Sequence, residues 1–247
     1  MIWISLIAFF VSMITAAAVV RWARAHALNY GAGMPQRFHL GNVPRLGGLA
    51  VLLGLSSSWL LGWVQAEWGD PGSLKLGSSL IFWWLAILLP AALGGIVEDM
   101  TQRLAVRYRL FLTALSSSVA VWGLGLTLPR LGLPWLDVIL VWVPWLGLVI
   151  VLLAVAGLPH AFNIIDGYNG LAGMVAVIVC LALAHVALQV GDRALAALLV
   201  STAAATAGFL VWNYPRGMLF AGDGGAYIWG VVIALASISL VQRNAEV

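Results

Sequence analysis

Cysteine and charged residues are both scarce in this chain of 247 residues. Its one cysteine, Cys180, lies in an apolar stretch, which excludes a disulfide framework and a cysteine-based metal site. Only 9% of the residues are charged, against about a quarter in soluble domains, while 63% are hydrophobic. This composition excludes a soluble globular domain and predicts an integral membrane protein.

Long apolar runs fill almost the whole chain. Eight of them approach the roughly 20 residues that a helix needs to cross a bilayer. They lie at about residues 2–20, 46–64, 78–97, 110–128, 138–158, 171–190, 194–212 and 224–241. Because no loop is long enough for a soluble domain, the sequence predicts an all-α polytopic membrane protein in which residues 1–247 form a single domain.

The basic residues divide unevenly between the two sets of connecting loops. One set carries eight arginines, namely Arg21, Arg24, Arg37, Arg45, Arg103, Arg107, Arg109 and Arg216. The opposite set carries four basic residues, Lys75, Arg130, Arg193 and Arg243. Since cytoplasmic loops hold the excess of Lys and Arg, the first set is predicted to be cytoplasmic and the N-terminus to lie outside.

Four acidic residues at the ends of apolar runs fall on the predicted cytoplasmic side: Glu98, Asp99, Asp166 and Asp223. A carboxylate beside the hydrocarbon core is costly, so such residues are candidates for function. If they converge from separate loops, they suggest a site for a divalent cation and a phosphorylated substrate. The remaining acids lie among turn residues on the other side and are interpreted as solvated loop charges.

The adjacent pair Glu98 and Asp99 closes the third apolar run. Neighbouring carboxylates at a helix end can share a metal ion or a proton. Downstream, Arg107 and Arg109 have the geometry to hold a phosphate through bidentate hydrogen bonds. Positive-inside flanking of a span explains these two arginines equally well when they are taken alone.

A polar, glycine-rich segment follows the fifth run. Asn163, Asp166 and Asn169 recur every three residues, which predicts that they share roughly one face of a helical turn. Amide and carboxylate groups together suit a nucleotide base, a sugar or a metal. The structural alternative is a helix-breaking turn between two spans.

Asp223 lies in a glycine-rich turn, residues 220–225, that leads into the last run. Near a helix N-terminus, exposed amides favour an anion such as phosphate or the aspartate itself. For this motif alone, an N-cap role is as good an explanation as catalysis. The basic loop 21–45, with His39 and Arg45, is expected to attract anionic headgroups at the membrane surface.

Four blocks of the sequence together resemble the polyprenyl-phosphate N-acetylhexosamine-1-phosphate transferases, membrane proteins of the glycosyltransferase family 4 type. The blocks agree with that family in order and spacing, and the resemblance covers essentially the whole chain. They are residues 44–48, Glu98-Asp99 with its downstream arginines, residues 163–170 and residues 220–225. The resemblance implies transfer of a HexNAc-1-phosphate from a UDP-sugar to undecaprenyl phosphate, with release of UMP, in cell-envelope polysaccharide synthesis such as that of O-antigen.

The resemblance also implies a role for each matching residue. The implied catalytic residues are Glu98, Asp99 and Asp166, and the implied metal ligands for Mg²⁺ or Mn²⁺ are Asp99 and Asp223. The implied substrate-binding residues are Arg45, Arg107, Arg109, Asn163 and Asn169. The expected partners are undecaprenyl phosphate, a UDP-N-acetylhexosamine and the bacterial inner membrane, with the site facing the cytoplasm, no nucleic acid, and a homodimer left open.

Two residues depart from the pattern of that family. Glu98 stands where the family usually has Asp, and Asn169 stands where many members have a second Asp. Family members also usually continue through two or more further spans and a cytoplasmic loop with clustered histidines, so the resemblance predicts that this sequence is truncated at its C-terminus.

The alternative function is a membrane transporter or lipid flippase whose carboxylates act as ion-relay sites. That alternative predicts charges near mid-membrane and internal repeats. The sequence instead has its acids at the ends of spans and has no visible repeat, which favours the transferase.

Overall fold

The computed structural model describes residues 1–23, 43–69 and 76–244. Within these ranges the regular secondary structure is helical throughout. The helices are α1 (Ile2–Trp22), α2 (Gly47–Trp68), α3 (Ser78–Thr101), α4 (Val106–Leu124), α5 (Pro134–Trp142), α6 (Pro144–Ile165), α7 (Leu171–Gln189), α8 (Arg193–Asn213) and α9 (Gly222–Arg243). The predictions made for Arg24, Arg37, His39 and Lys75 lie outside the described residues.

Seven of the helices in the described ranges are long and apolar enough to cross a membrane, all except α4 and α5. This confirms the predicted all-α polytopic membrane protein. The helix α4 is less apolar because Arg107 and Arg109 lie in its first turn and three consecutive serines lie at its centre.

Helix α4 nevertheless runs antiparallel along the length of α3. Towards one end of the pair, Gly94 lies against the Leu112 side chain, and towards the other, Gly123 lies against Trp83. Between these contacts, the hydroxyl of Ser116 accepts a hydrogen bond from the Ala91 amide at 3.1 Å. The helix α4 is thus paired with α3 along its length, but seven of the eight predicted spans, and not α4, have the length and hydropathy of a membrane crossing among the described residues.

Two helix boundaries differ from the prediction. The run 138–158 is divided, because α5 ends at Trp142 and α6 begins with Pro144, whose missing N–H is tolerated at a first helical position. Helix α4 covers 106–124 rather than 110–128, because Gly125 adopts a left-handed φ of 58° and ends it.

The ends of α3 and α6 and the beginnings of α2, α4 and α9 meet at one end of the bundle, here called the site end. Helix α9 is the most enclosed of the seven apolar helices and packs against α2, α3 and α6. Glycines permit this closeness: a Cβ on Gly95 would lie 2.5 Å from the Gly224 amide nitrogen, and one on Gly48 would collide with Gly225. Small residues of this kind allow membrane helices to approach backbone to backbone.

The segment before α2 is held against the segment before α9 by backbone hydrogen bonds. The Phe220 amide donates to the Pro44 carbonyl at 2.9 Å, and the amides of Gly47 and Gly48 donate to the carbonyls of Phe220 and Ala221, each at 2.8 Å. These bonds satisfy two of the amides that the first turn of α2 would otherwise leave unpaired. They also fix Arg45 beside the start of α9.

Candidate active site

A cavity of about 480 Å³ opens at the site end of the bundle. Seven of the nine residues that the sequence singled out line it: Arg45, Asp99, Arg109, Asn163, Asp166, Asn169 and Asp223. They come from five separate parts of the chain. Of the four acids predicted to converge, the three aspartates line this cavity and Glu98 does not.

The Asp223 carboxylate connects three helices within this cavity. Its Oδ2 pairs with Arg109 Nη1 of α4 at 2.6 Å, and its Oδ1 accepts a hydrogen bond from Asn163 Nδ2 of α6 at 2.8 Å. The Tyr227 hydroxyl, one turn further along α9, is 3.4 Å from Oδ2. The side chains of Arg109 and Asp223 are only 22% and 16% exposed, so water screens this pair less than a surface ion pair.

Asp99 caps the first turn of α9. It is buried, its Oδ1 accepts a hydrogen bond from the Asp223 amide, and its Oδ2 accepts one from the Gly224 amide, both at 2.9 Å. The helix N-terminus predicted to hold phosphate or Asp223 is therefore occupied by another aspartate, which the partial positive charge of the helix end stabilises. Asp223 itself is the second residue of α9, and the structure assigns it no cap role.

Gly222, at the start of α9, has a φ of 70°, a conformation that favours glycine. A Cβ at this position would also collide with the Arg45 carbonyl and with both carboxylate oxygens of Asp99. Only glycine therefore allows Asp99 to reach the α9 amides.

Asp166 follows the last residue of α6 and is half-buried in the cavity wall. Its carboxylate makes no hydrogen bond among the residues that the structure describes. Burial raises the pKa of Asp166 from 3.8 to about 6, with Arg45 acting in the opposite direction and Asp223 adding to the rise. The group is thus suited to exchange a proton near neutral pH.

The prediction that Asn163, Asp166 and Asn169 share one helical face was wrong. Helix α6 ends at Ile165, so only Asn163 is helical, and Asp166 and Asn169 lie in the turn that follows. Asn169 Nδ2 donates to the Pro215 carbonyl at 3.2 Å rather than to a neighbour in its own segment. Tertiary contacts, not helical periodicity, bring the three residues to the same cavity.

Glu98 and Arg107 lie outside the cavity lining. The Glu98 Oε2 accepts a hydrogen bond from the Leu104 amide at 2.7 Å and so fixes the turn between α3 and α4. Arg107 is exposed, with its guanidinium 4.9 Å from the centre of the Tyr108 ring. Successive helical residues point about 100° apart, so only one member of an adjacent acidic pair faces the cavity.

The sequence reasoning missed four polar residues that line the cavity: His160, Tyr168, Asn213 and Tyr227. His160 lies three residues before Asn163 and Tyr227 four after Asp223, spacings that place helical residues on one face and that would have identified both. Asn213 bridges two turns, accepting from the Gly170 amide at 2.6 Å and donating to the Leu219 carbonyl at 2.8 Å. No local pattern indicates that role.

The side chains that could ligate a metal in the cavity fit a magnesium ion only in part. Within the described ranges, no three His, Cys, Asp or Glu side chains lie close enough to hold a metal ion by themselves. Both oxygens of Asp99 are bound to amides, which does not fit the predicted metal role of that residue. Both oxygens of Asp223 are engaged as well, but by the side chains of Arg109 and Asn163, which can turn aside for an ion as the backbone amides at Asp99 cannot. One carboxylate completed by water and substrate phosphates is a usual Mg²⁺ arrangement.

Comparison with known proteins places this cavity in a family context. Residues 80–241 match the family model described as Glycosyl transferase family 4. The chain is 27% identical to a probable undecaprenyl-phosphate N-acetylglucosaminyl 1-phosphate transferase of Bacillus subtilis, over 94% of this chain and 62% of that protein. It is 29% identical to a phospho-N-acetylmuramoyl-pentapeptide-transferase of Moorella thermoacetica, over 82% of this chain and 63% of that protein.

A shorter match is 38% identical over 82 residues to a putative UDP-N-acetylglucosamine–dolichyl-phosphate N-acetylglucosaminephosphotransferase of Sulfolobus acidocaldarius. It covers 32% of this chain and 25% of that protein. The chain thus spans 62% and 63% of the length of its Bacillus and Moorella relatives. The family model covers Asp99, Arg109, Asp166 and Asp223, and on this match the chain belongs to glycosyl transferase family 4.

Proposed function

We propose that this protein transfers a sugar-1-phosphate, specifically a HexNAc-1-phosphate, from a UDP-sugar to undecaprenyl phosphate and releases UMP. The observation that supports the proposal is the cavity at the site end. There, two arginines and three aspartates that come from distant parts of the chain surround a space open at the ends of membrane-spanning helices. An enzyme that joins a water-soluble nucleotide sugar to a membrane lipid needs its site at such a boundary.

The reaction makes and breaks one phosphorus–oxygen bond. An oxygen of the acceptor phosphate bonds to the β-phosphorus of the UDP-sugar, and the bond from that phosphorus to the oxygen bridging to the α-phosphate breaks, so UMP leaves. Such transfers depend mainly on positioning and on charge neutralisation. Arg45 and Arg109, which line the cavity, are the groups proposed to bind the phosphates.

Asp166 is proposed to accept the proton of a singly protonated acceptor phosphate. A phosphate monoester has a second pKa near 6, close to the value of about 6 for Asp166. Similar pKa values allow the proton to pass readily between the two groups. Asn163 and Tyr227 then hold Asp223 in place from α6 and from the next turn of α9.

A divalent ion, Mg²⁺ or Mn²⁺, would be held by Asp223 together with substrate phosphate oxygens and water. When bound, it supplies positive charge to the diphosphate. In this proposal the cavity faces the cytoplasm of a bacterium, following the excess of arginine on that side.

The direct test uses the purified 247-residue chain in detergent, with undecaprenyl phosphate, Mg²⁺ and a panel of UDP-N-acetylhexosamines. UMP and a lipid-linked sugar diphosphate are expected in equal amounts, and the preferred donor identifies the sugar. Asp223→Asn should abolish both products, and added Mg²⁺ should not restore them. Asp192→Asn is the matched control, because Asp192 pairs with Arg243 at the opposite end of the bundle.

A folded protein that yields neither UMP nor a lipid product with any donor would contradict the proposal. Movement of lipid across proteoliposomes without UMP release would instead favour the transporter alternative.

A further inference from the structure

His160 lines the cavity, yet nothing in the proposed reaction uses it. It lies in α6, half-buried, one turn before Asn163. Two contacts from other helices fix its ring. Its Nε2 is 3.1 Å from the Thr113 hydroxyl of α4, and its ring meets the Tyr227 ring of α9 edge-on, with centroids 5.0 Å apart.

The Thr113 hydroxyl has two neighbours, the Leu110 carbonyl at 3.0 Å within its own helix and His160 Nε2 at 3.1 Å. The carbonyl can only accept, whereas Nε2 can either donate or accept. Both contacts are satisfied together when the single hydroxyl hydrogen goes to Leu110 and the Thr113 oxygen accepts from His160, and this assignment puts the proton on Nε2. In the neutral ring, Nδ1 then has a lone pair and no hydrogen.

The Nδ1 lone pair has no hydrogen-bond donor among the residues that the structure describes. An acceptor beside the hydrocarbon region is costly unless water or a ligand donates to it. A phosphate oxygen is itself an acceptor and would be repelled. The group that Nδ1 selects is an O–H or N–H donor.

We propose that His160 is a substrate-binding residue: Thr113 anchors its Nε2–H, and its Nδ1 accepts a hydrogen bond from a hydroxyl of the bound nucleotide sugar. This inference rests on the proposed function, since it takes a UDP-sugar as the ligand. The position of His160, one turn from the residue that binds Asp223, places this contact beside the region proposed for the diphosphate.

Two substitutions separate the two nitrogens. In His160→Asn, the amide oxygen occupies the position of Nδ1 and still accepts a hydrogen bond there, while the Thr113 contact is lost. In His160→Gln, the longer side chain reaches towards Thr113, as Nε2 did, and no acceptor remains at the Nδ1 position. If His160 has only a structural role, His160→Gln should bind the nucleotide sugar better than His160→Asn. If His160 binds substrate, His160→Asn should bind it better.

The experiment is calorimetric titration of the full chain in detergent, without acceptor lipid, using UDP-N-acetylglucosamine and UDP. His160→Asn is expected to bind UDP-N-acetylglucosamine within about threefold of the unmodified protein, and His160→Gln about tenfold more weakly. Thr113→Val should bind within about threefold, as His160→Asn does, because both remove the Thr113 contact and keep an acceptor at the Nδ1 position. Thermal midpoints of the variants show whether any loss comes from unfolding.

The ligands distinguish the sources of the hydroxyl. A loss confined to UDP-N-acetylglucosamine places the donor on the sugar, and an equal loss with UDP places it on the ribose; both support the inference. His160→Gln binding as the unmodified protein does, or better than His160→Asn, overturns it while leaving the proposed function intact. If the unmodified chain binds no UDP-sugar, the proposed function and this inference both fail.

Discussion

Glu98 and Asp99 are chemically similar neighbours that the fold uses differently. Asp99 is buried and binds two backbone amides of α9, whereas Glu98 binds one amide in the turn after its own helix. Asp99 therefore connects the end of α3 to the start of α9. The position of Asp223 depends on this connection, because one of the amides that Asp99 binds belongs to Asp223.

Asp99→Asn is expected to reduce the transfer rate at least about a hundredfold, roughly 3 kcal/mol of transition-state stabilisation. The new side-chain NH₂ group would face a backbone N–H donor of α9. Two donors repel each other, and this repulsion is expected to displace Asp223. Glu98→Gln is the control: it keeps an acceptor for the Leu104 amide and should stay within about tenfold. Initial rates of UMP release measure both, and a larger loss in Glu98→Gln would reverse the assignment.

The raised pKa of Asp166 makes both activity and stability depend on pH. Its pKa is about 6 in the fold against 3.8 ordinarily, so the folded state holds the proton more tightly than the unfolded chain does. Its contribution to stability is greatest below pH 3.8 and is lost as pH rises through about 6. If Asp166 acts as a base, activity must change in the opposite direction.

The transfer rate should therefore rise between about pH 5 and 7, with its midpoint near 6. Asp166→Asn should be slow and should lack this rise. The thermal midpoint of this variant minus that of the unmodified protein should be more positive at about pH 7 than at about pH 5. An unchanged pH profile in a fully active Asp166→Asn protein would remove the residue from the mechanism.

At the scale of helices, the site depends on how closely α9 approaches α2 and α3. Gly48 and Gly95 face the α9 backbone at residues 224 and 225, directly beside the Asp99 cap. Any separation of these helices would lengthen the two hydrogen bonds of Asp99. The contacts that bury α9 therefore also set the geometry of the cavity.

Gly48→Ala and Gly95→Ala are each expected to destabilise the protein by about 1–3 kcal/mol, because the new methyl group overpacks a backbone contact. Gly157→Ala is the matched control. That glycine also lies in an apolar helix, α6, but nothing stands within 4 Å of a Cβ there. Thermal midpoints in detergent compare the three. A control as damaged as the other two would mean that glycine itself, rather than close packing, is what these helices require.

At the scale of the whole molecule, the candidate site residues that line the cavity lie at one end of an apolar bundle. Among the described residues of the opposite end, Arg243 pairs with Asp192 and the Gln242 side chain accepts from the Thr127 amide. One-sided placement suits an enzyme that meets its soluble substrate on a single face of the membrane. The positive-inside rule predicts that this face is cytoplasmic.

Cysteine labelling tests that orientation. In a Cys180→Ala background, a single cysteine at Tyr168, exposed at the site end, should resist a membrane-impermeant maleimide in intact cells. A cysteine at Arg193, exposed at the start of α8, should react. Both should react after the membrane is permeabilised. The reverse pattern would place the cavity outside the cell and contradict the predicted topology.

The sequence by itself determined the membrane class, the helical spans and the end of the bundle at which the functional groups lie. A bilayer fixes the length of a spanning helix, so a residue at the end of an apolar run must lie at one of two surfaces. Glu98, Asp99, Asp166 and Asp223 could therefore be grouped from their positions along the chain, and the three aspartates of this group line the cavity. The motif spacing and its family resemblance added Arg45 and Arg109, which the structure brings into the same cavity.

Only the tertiary structure decided which way each side chain faces. Helices that are apolar on every side have no stripe that marks an inward face, so their rotation is set by contacts with other helices. That rotation directs Asp99 to the α9 amides and turns Glu98 away from them. It also pairs Arg109 with Asp223 across 114 residues of chain, a contact that no local pattern encodes because helix packing creates it.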